Sequence, residues 1–296
     1  MNERSLSQWL DYIETLHPAA IDMGLARVTR VAEALGFAPP DHAPAPVSVI
    51  VAGTNGKGST SVFTEALLLE RGQRVGTTLS PHVHEFNERV RIDGVAADDA
   101  LLCDAFAEVD AARGSVALTY FEFAALVALC CFRRAAVDVA ILEVGLGGRL
   151  DAFNLVGANL AVVTSIGLDH QAFLGDDLEQ IGREKAAVMR AGRSAVVGSD
   201  VTASVLQHAQ AEGCPVRQLG RDFCVRLEPG SWHFEAPQEG LRFENLPWGP
   251  LAPENCALGI AAAARLGPVD EAMVRAALAR ATLPGRCEIW RLGTMT

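Results

Sequence analysis

The fold of this chain is decided by the stretch Val47-Ser48-Val49-Ile50-Val51-Ala52-Gly53-Thr54-Asn55-Gly56-Lys57-Gly58-Ser59-Thr60. Its apolar, β-branched first half predicts a buried strand, and the hydroxyl residues at its end open a helical pattern. Between them lies a glycine-rich turn with a lysine. Backbone N–H groups of such a turn and the N-terminus of the next helix attract anions, and Lys57 adds a mobile positive charge. The stretch therefore predicts a nucleoside-triphosphate site.

The spacing of this turn differs from the standard P-loop in two respects. Two residues separate Gly53 from the Gly56-Lys57 pair, and Gly58 occupies the place where a metal-binding Ser or Thr usually follows the lysine. A glycine turn without a function is the alternative. The strand before the turn and the helix after it favour the phosphate site.

Apolar runs alternate with helical segments along the rest of the chain. We predict strands at residues 47–52, 75–79, 137–144, 160–164 and 194–198, and helices at residues 57–71, 100–112, 120–134, 177–190 and 202–212. Because these strands are continuously apolar, both of their faces should be buried, as in a mostly parallel α/β sheet flanked by helices. Residues 216–248 change to short strands separated by turns, which predicts a small antiparallel insertion rather than a separate domain. Helices resume at residues 253–260 and 270–280.

Polar clusters follow four of the predicted strands. They are the glycine turn, Ser80-Pro81-His82, Glu143 and Asp169-His170. In parallel sheets, ligands gather at the carboxyl ends of the strands. We therefore expect the four clusters to meet in one crevice.

Glu143 closes an apolar run, so its charge needs a nearby cation to offset the cost of desolvation. Mg²⁺ bridging triphosphate oxygens would supply that cation. A dinucleotide-binding fingerprint is the competing interpretation of the glycines that follow, but Leu150 stands where the third glycine belongs. A salt bridge between Glu143 and Arg149 remains a simpler alternative.

His170 and Lys185 each allow two interpretations. His170 could be a metal ligand or a solvated side chain after a strand. Lys185 lies in a predicted helix, where a solvated lysine is the better interpretation from the residues alone. If its amine were desolvated and partly neutral, it could instead react with CO₂ to form a carbamate, an oxygen ligand for Mg²⁺.

The bulk composition limits the possible partners. The net charge of −11 argues against nucleic acid or an anionic membrane as the main partner. No secretory signal is visible, and no apolar run reaches membrane-spanning length. The seven cysteines form no CxxC pair, which predicts reduced thiols in a cytoplasmic protein. Two interpretations are open for the aromatic residues of Thr119-Tyr120-Phe121-Glu122-Phe123. They pack in the core, or they lie beside Asp151 and sandwich a heteroaromatic ligand.

Together these segments resemble the folylpolyglutamate synthase and dihydrofolate synthase family, in its bacterial bifunctional form, which is related to the Mur ligases. The residues that carry the resemblance are Gly53–Thr60, Ser80-Pro81-His82, Glu88-Arg89-Val90, 143–151, 164–170, Glu184-Lys185-Ala186 and Leu283-Pro284-Gly285-Arg286. The resemblance implies ATP-dependent ligation of L-glutamate to dihydropteroate and to folates through an acyl phosphate. It also implies a monomer whose partners are these small molecules.

The resemblance assigns roles to individual residues. It implies that ATP contacts Thr54, Asn55, Gly56, Lys57, Gly58, Ser59, Asn255 and Arg286. It implies that Ser80 and Glu143 bind one Mg²⁺, and that His170 and a carbamylated Lys185 lie near a second. Lys57, Lys185 and His170 are thus the expected catalytic residues. The implied pterin pocket comprises Ile21, Met23, Thr119, Phe121, Asp151 and Ala152.

The chain differs from the family pattern in three ways, one of which is that Cys287 follows Arg286 where an aromatic residue is common. Phe153 replaces a usual Thr, so we expect a reshaped pocket lip. Family members continue into a second α/β domain that helps bind glutamate, and we expect residues 1–296 to be a Mur-ligase-like ATP-binding domain without it. A Mur-type ligase acting on a UDP-sugar peptide and a nucleotide-binding module without turnover are the alternatives.

Overall fold

An eight-stranded, mostly parallel sheet forms the centre of the molecule, in a computed structural model that describes residues 4–19 and 21–286. Its strands are β1 (Val47–Ala52), β2 (Val75–Thr78), β3 (Val90–Ile92), β4 (Val95–Ala96), β5 (Val139–Glu143), β6 (Leu160–Val163), β7 (Ser194–Val197) and β8 (Val216–Gln218). Their spatial order is β4-β3-β2-β5-β1-β6-β7-β8. The pairs β2–β3 and β3–β4 are antiparallel, and the other pairs are parallel. Strand β1 therefore delivers the glycine turn to the middle of the carboxyl edge.

Helices cover both faces of this sheet. They are α1 (Leu6–Glu14), α2 (Ala26–Ala34), α3 (Lys57–Glu70), α4 (Asp99–Arg113), α5 (Tyr120–Ala135), α6 (Gln171–Leu174), α7 (Leu178–Ala186), α8 (Ala203–Ala211), α9 (Pro253–Leu266) and α10 (Glu271–Arg280). Ile50 of β1 belongs to an apolar cluster with α1, α2, α4 and α5, and Val51 belongs to a second cluster with α3, α9 and α10. Both faces of β1 are thus buried, which confirms the predicted architecture.

The predicted end of one helix is wrong. Helix α7 ends at Ala186 rather than at residue 190. The Asn154 side chain donates to the Ala187 carbonyl at 3.3 Å, and the Arg190 guanidinium donates to the carbonyls of Asn154 and Val156 at 2.7 and 3.0 Å. Side-chain bonds to the 152–155 turn therefore replace a further helical turn, and a sequence pattern cannot show this.

The predicted insertion exists, but it begins later than residue 216. Strands β9 (Cys224–Glu228), β10 (Ser231–Ala236) and β11 (Leu241–Pro247) form a separate antiparallel sheet. Residues 216–218 instead form β8, which pairs in parallel with β7. This edge strand has three partly buried residues, Val216–Gln218. Its sequence lacks the continuous apolar run of the central strands, which is why the sequence pattern did not reveal it. Trp232, 1% exposed, packs into the second apolar cluster, so the insertion shares the main core.

Two findings concern the remaining parts of the chain. Within the ranges that the structure describes, no helix combines the length and hydrophobicity needed to cross a bilayer. The six cysteines in those ranges are free thiols, and Cys287 lies outside the described residues.

Candidate active site

The glycine turn between β1 and α3 has the backbone geometry of an anion-binding loop. Gly56 occupies the N-cap of α3 with φ of 87°, a left-handed conformation that glycine adopts without a steric penalty. A Cβ atom at Gly56 would lie 2.3 Å from Oδ1 of Asn255. Asn255, in the first turn of α9, therefore packs directly on the loop. The sequence predicted both as parts of one nucleotide site, and the structure brings them together.

The loop is fastened to the segment that follows β6. The Thr54 N–H donates to the Ser165 carbonyl at 2.8 Å, and the Gly167 N–H donates to Oγ1 of Thr54 at 2.9 Å. The Thr164 hydroxyl donates to the Asn55 carbonyl at 2.6 Å. These bonds occupy the Thr54 side chain within the protein, so its predicted contact with ATP stays a prediction.

Both lysines of the chain lie at this loop. Lys57 donates from Nζ to the carbonyls of Gly53 and Thr54 at 2.9 and 3.1 Å. Lys185 donates from Nζ to the same Gly53 carbonyl at 3.0 Å, and it is 3% exposed. Burial, with a smaller contribution from the charge of Lys57, lowers the pKa of Lys185 to about 8. The interpretation of Lys185 as a solvated lysine is therefore wrong.

A close backbone approach places Lys185 behind the loop. A Cβ atom at Gly148 would lie 2.5 Å from the Glu184 carbonyl oxygen, so only glycine lets α7 pack this tightly. The Arg149 N–H donates to that carbonyl at 2.9 Å, and Nε of Arg149 donates to the Glu184 carboxylate at 2.9 Å. Arg149 thus pairs with Glu184 and not with Glu143, which makes the predicted alternative salt bridge wrong.

Glu143 lies at the carboxyl end of β5 and is 4% exposed. Its Oε2 accepts the Ser80 N–H at 2.8 Å, and burial raises its pKa to about 7. A Cβ atom at Gly58 would contact both carboxylate oxygens, at 3.5 and 3.6 Å. The glycine that replaces the usual Ser or Thr therefore leaves space in front of this carboxylate.

The polar atoms at this site suit a divalent cation whose coordination shell also includes phosphate oxygens. Glu143 forms no ion pair with any side chain in residues 4–19 and 21–286. The same part of the chain holds no cluster of three or more His, Cys, Asp or Glu side chains that could bind a metal by themselves. Mg²⁺ usually takes one or two carboxylates and completes its shell with phosphate and water. Ser80 and Glu143 are suited to that arrangement.

We expect cation binding at Glu143 to depend on pH. Because a carboxyl group with a pKa of about 7 changes from mostly protonated to mostly ionised, Mn²⁺ should bind about tenfold more tightly at pH 8 than at pH 6. Calorimetric titration of Mn²⁺ into the protein without added nucleotide measures this, because the terminal phosphate of a nucleotide also binds Mn²⁺ and titrates in the same pH range. Glu143→Gln should remove the pH dependence, and an equal slope in the variant would contradict the assignment.

The same group has a defined effect on stability. Its pKa in the folded protein lies above the ordinary value of 4.5, so its contribution to stability is complete below that value and is lost as pH rises through about 7. In metal-free protein, Glu143→Gln should therefore raise the melting temperature more at pH 8 than at pH 5. A larger gain at pH 5 would show that the sign is wrong.

Two cavities meet at the carboxyl edge of the sheet. The larger, of about 950 Å³, includes the predicted nucleotide and metal residues Thr54, Asn55, Gly56, Lys57, Gly58, Ser59, Ser80, Glu143, His170, Asn255 and Arg286. The smaller, of about 340 Å³, is lined by all the predicted pterin residues, Ile21, Met23, Thr119, Phe121, Asp151 and Ala152. Ser80, Pro81, Gly145 and His170 line both cavities. The prediction of one crevice is confirmed.

His170 and Arg286 are the least constrained of these residues. The His170 side chain is 46% exposed and lies 3.7 Å from the Asp169 carboxylate. Arg286 is exposed and lies on the wall of the larger cavity. Their positions agree with roles in ligand binding, and those roles stay predictions.

The Asp151 side chain stabilises the wall of the smaller cavity through hydrogen bonds to the backbone. Its carboxylate accepts the N–H groups of Gly145, Leu146 and Phe153 at 2.9, 3.1 and 2.9 Å. Burial raises its pKa to about 6. Oδ1 accepts one of these bonds and therefore keeps a lone pair for a ligand. The predicted contact with a pterin stays a prediction.

Asp151→Asn should destabilise the fold. A carboxamide offers one acceptor oxygen, so at least one of the three N–H groups loses its partner, at a cost of roughly 1–3 kcal/mol in the free energy of unfolding. Urea denaturation at about pH 5, where the Asp151 carboxyl is mostly uncharged because its pKa is about 6, measures this cost apart from the effect of removing a buried charge. The exposed Asp200→Asn is the matched control and should change stability by less than about 0.5 kcal/mol. Equal values for the two variants would contradict the role of Asp151.

The ring of Phe121 forms part of the wall of the smaller cavity. A Cβ atom at Gly145 would lie 2.6 Å from the Phe121 ring, so this ring lies against the loop backbone. Phe153 meets Phe121 edge-to-face, with ring centroids 5.7 Å apart and an interplanar angle of 85°. Phe153, which we expected to reshape the rim of the pocket, thus packs against the ring of Phe121.

Sequence reasoning assigned no role to Arg89 and Glu122, which also line the smaller cavity. Oε2 of Glu122 accepts from the Thr119 N–H and from Nε of Arg27, both at 2.8 Å. Arg89 lies in a motif that the resemblance used, but a motif match does not say which way a side chain faces.

Comparisons with known proteins agree with this geometry. The sequence matches the Mur ligase middle domain family over residues 51–223. It is 44% identical to the dihydrofolate synthase/folylpolyglutamate synthase of Escherichia coli K12 over 96% of this chain, and 41% identical to that of Haemophilus influenzae over 95%. The chain spans 66% and 63% of the length of these two relatives. The corresponding Buchnera aphidicola protein (subsp. Acyrthosiphon pisum) is 36% identical, with 96% of this chain and 68% of that protein aligned.

Solved structures of such proteins have the same fold. Escherichia coli FolC in complex with DHPP and ADP superposes with a TM-score of 0.91 and 42% identity, covering 97% of this chain and 69% of that one. The bifunctional folylpolyglutamate synthase/dihydrofolate synthase of Yersinia pestis, complexed with AMPPNP and Mn, gives a TM-score of 0.88 at 42% identity, covering 97% and 68%.

Proposed function

The chain belongs to the dihydrofolate synthase/folylpolyglutamate synthase family of Mur-type ligases, and from this we propose that it binds ATP and a pterin-containing acid for ligation to L-glutamate. The observation that supports this best is the junction of the two cavities. One contains the phosphate loop and Glu143, the other is lined by Phe121 and Asp151 among others, and Ser80 and His170 lie where they meet.

The proposed reaction has two steps. A carboxylate oxygen of the acid attacks the γ-phosphorus of ATP, which forms an acyl phosphate and releases ADP. The amine of L-glutamate then attacks the acyl carbon, phosphate leaves, and the nitrogen loses a proton to form the amide. Activation is needed because a carboxylate is a poor electrophile. Dihydropteroate and folates are the proposed acids, which makes the activity bifunctional.

The residues of the chain would position and neutralise the phosphoryl group. The N–H groups at the start of α3 and the Lys57 ammonium hold the phosphates. Ser80 and Glu143 would hold a divalent cation, which neutralises charge on the phosphate oxygens. The apolar wall around Phe121 excludes water from the acid and orients it toward the junction.

Lys185 is the proposed site of a carbamate. Its amine is buried, its pKa is lowered to about 8, and within residues 4–19 and 21–286 its one hydrogen bond is to the Gly53 carbonyl. The neutral amine would add to CO₂, forming an N–C bond and releasing a proton to solvent. The product is an anion beside Lys57 that could serve, with His170, as a ligand in a second cation site.

Product analysis tests the proposed function. The chain is incubated with ATP, Mg²⁺, dihydropteroate and L-glutamate, and ADP and the glutamate conjugate are measured by mass spectrometry. Formation of both supports the ligase, and a parallel reaction with tetrahydrofolate tests bifunctionality. Binding of dihydropteroate and nucleotide without product supports a binding module. Binding of a UDP-muramoyl peptide in place of dihydropteroate supports a Mur-type substrate.

We also propose that the protein is cytoplasmic and monomeric. The free thiols of the described cysteines agree with a reducing compartment. Light scattering at several protein concentrations tests the monomeric state.

A further inference from the structure

Arg89 lies in the smaller cavity, next to its junction with the phosphate site. It immediately precedes β3, and its carbonyl accepts the Leu79 N–H at 3.1 Å, which places it beside Ser80. Its guanidinium carbon lies 5.9 Å from the ring centroid of Phe86 and 5.7 Å from that of Tyr120. The side chain is partly buried and lines the cavity together with Ser80 and His170.

This guanidinium forms no ion pair within the described part of the chain, and the charge of Glu143 acts on it only from a longer distance. Among the side chains of residues 4–19 and 21–286, no carboxylate lies within 4.0 Å of it. Its one hydrogen bond within those ranges is from Nε to Nδ1 of His82, at 2.7 Å, so both Nη groups remain for a ligand. By contrast, Arg27 pairs with Glu122 and Arg149 with Glu184. A partly desolvated cation on an apolar wall gains most from an anion that enters the cavity.

The position of Arg89 is fixed by a motif whose role was otherwise unexplained. The His82 ring accepts from Nε and thereby orients the guanidinium. The Glu88 carboxylate accepts the N–H groups of Val83, His84 and Glu85 at 2.8, 2.8 and 2.9 Å, which folds the connecting loop. Ser80-Pro81-His82 and Glu88-Arg89-Val90 therefore form one unit that presents two free Nη groups.

The same cavity contains an unpartnered acceptor. Oε1 of Glu122 is buried and has no hydrogen-bond partner among the residues that the structure describes, whereas Oε2 accepts two bonds. Glu122 and Arg89 do not pair with each other, so the cavity offers an acceptor at one place and a cation at another. This polarity suits a molecule with N–H donors on its ring system and a carboxylate at its other end.

We propose that Arg89 binds the carboxylate of the aromatic acid and holds it at the junction of the two cavities. This inference rests on the proposed function, and it adds a specificity-determining residue to it. A planar guanidinium binds a carboxylate through two parallel hydrogen bonds, which fixes direction as well as position. The aromatic body of the acid then lies against Phe121, with its reacting oxygen toward the phosphate loop.

A matched pair of ligands tests the proposal without requiring turnover. Pteroate carries the carboxylate, and pteroamide has a neutral carboxamide of the same shape. By calorimetry, the unaltered protein should bind pteroate about 10- to 100-fold more tightly than pteroamide, the range expected for hydrogen bonds to a charged group. Arg89→Met should reduce this preference to about one while leaving pteroamide affinity unchanged. Arg226→Met, on the exposed part of the insertion, is the control and should keep the preference.

Each outcome decides one question. Equal affinities in the unaltered protein, or a preference that survives in a folded Arg89→Met variant, would overturn the role of Arg89 and leave the proposed function intact. If Arg89→Met does not fold, Arg89→Lys replaces it, because lysine keeps the charge but loses the two-point contact. That variant should lower the preference several-fold, and an unchanged preference would count against the proposal. Failure of both ligands to bind while ADP binds would overturn the proposed function and this inference with it.

Discussion

Lys57→Ala is expected to lower ATP-dependent product formation by about 10²- to 10³-fold, the usual effect of removing one preorganised donor to a transferring group. The physical reason is that Lys57 supplies the mobile charge of the phosphate loop. Its ammonium donates to the carbonyls of Gly53 and Thr54, which keeps it at the phosphate loop. The rate of ADP formation at saturating ATP measures the loss.

Two further variants make this result specific. Lys57→Met keeps the aliphatic stem and should be as inactive as Lys57→Ala, which separates charge from packing. Arg193→Ala removes an exposed cation immediately before β7, at the opposite edge of the sheet, and should retain full activity. A Lys57 variant with unchanged melting temperature and at least half of the original rate would contradict the role of Lys57.

Lys185→Ala should lower the rate by about 10- to 100-fold, a loss typical of removing a group that supports a metal site. If the carbamate is the active form, acetate or formate should partly restore the rate, because a small carboxylate can replace the lost anion. Rescue should be absent in Lys57→Ala, which serves as the matched control. Equal activity of Lys185→Ala and the unaltered protein would exclude a catalytic role.

The carbamate itself can be observed directly. Because the chain has two lysines, equilibration of N-terminally acetylated protein, whose α-amino group cannot react, with ¹³CO₂ should give a single strong carbamate resonance in the carbon NMR spectrum. Lys185→Arg should abolish this resonance. The signal should grow as pH rises through about 8, since only the neutral amine adds to CO₂. A resonance that persists in Lys185→Arg, or none in the unaltered protein, would contradict carbamylation at Lys185.

Local sequence signals were sufficient for the centre of the fold. The β-branched run of β1 and the glycines after it are neighbours in sequence, so one stretch predicted both the strand and the loop. The convergence of Ser80, Glu143 and His170 followed from a general rule about parallel sheets, and the cavities confirm it. The hairpin of β3 and β4 was missed, although Asp93-Gly94, both with positive φ, is a recognised turn signal.

Features that depend on contacts between distant segments could not be predicted. The burial of Lys185 follows from the close approach of Gly148 to α7, which no periodicity in α7 reveals. The choice of Glu184 rather than Glu143 as partner of Arg149 depends on the same approach. The edge strand β8 is polar and short, so its pairing with β7 is visible only in the assembled sheet.

Both lysines donate to the same oxygen, the carbonyl of Gly53, and this arrangement affects how the protein binds an anionic ligand. As long as Lys185 is not carbamylated, the two ammonium groups on this single acceptor repel one another, and each new negative charge nearby relieves that repulsion. Even tripolyphosphate, which has no sugar and no base, should therefore protect the protein from heat. Contacts with the nucleobase would then add specificity to binding that the reduced repulsion between the two lysines already favours.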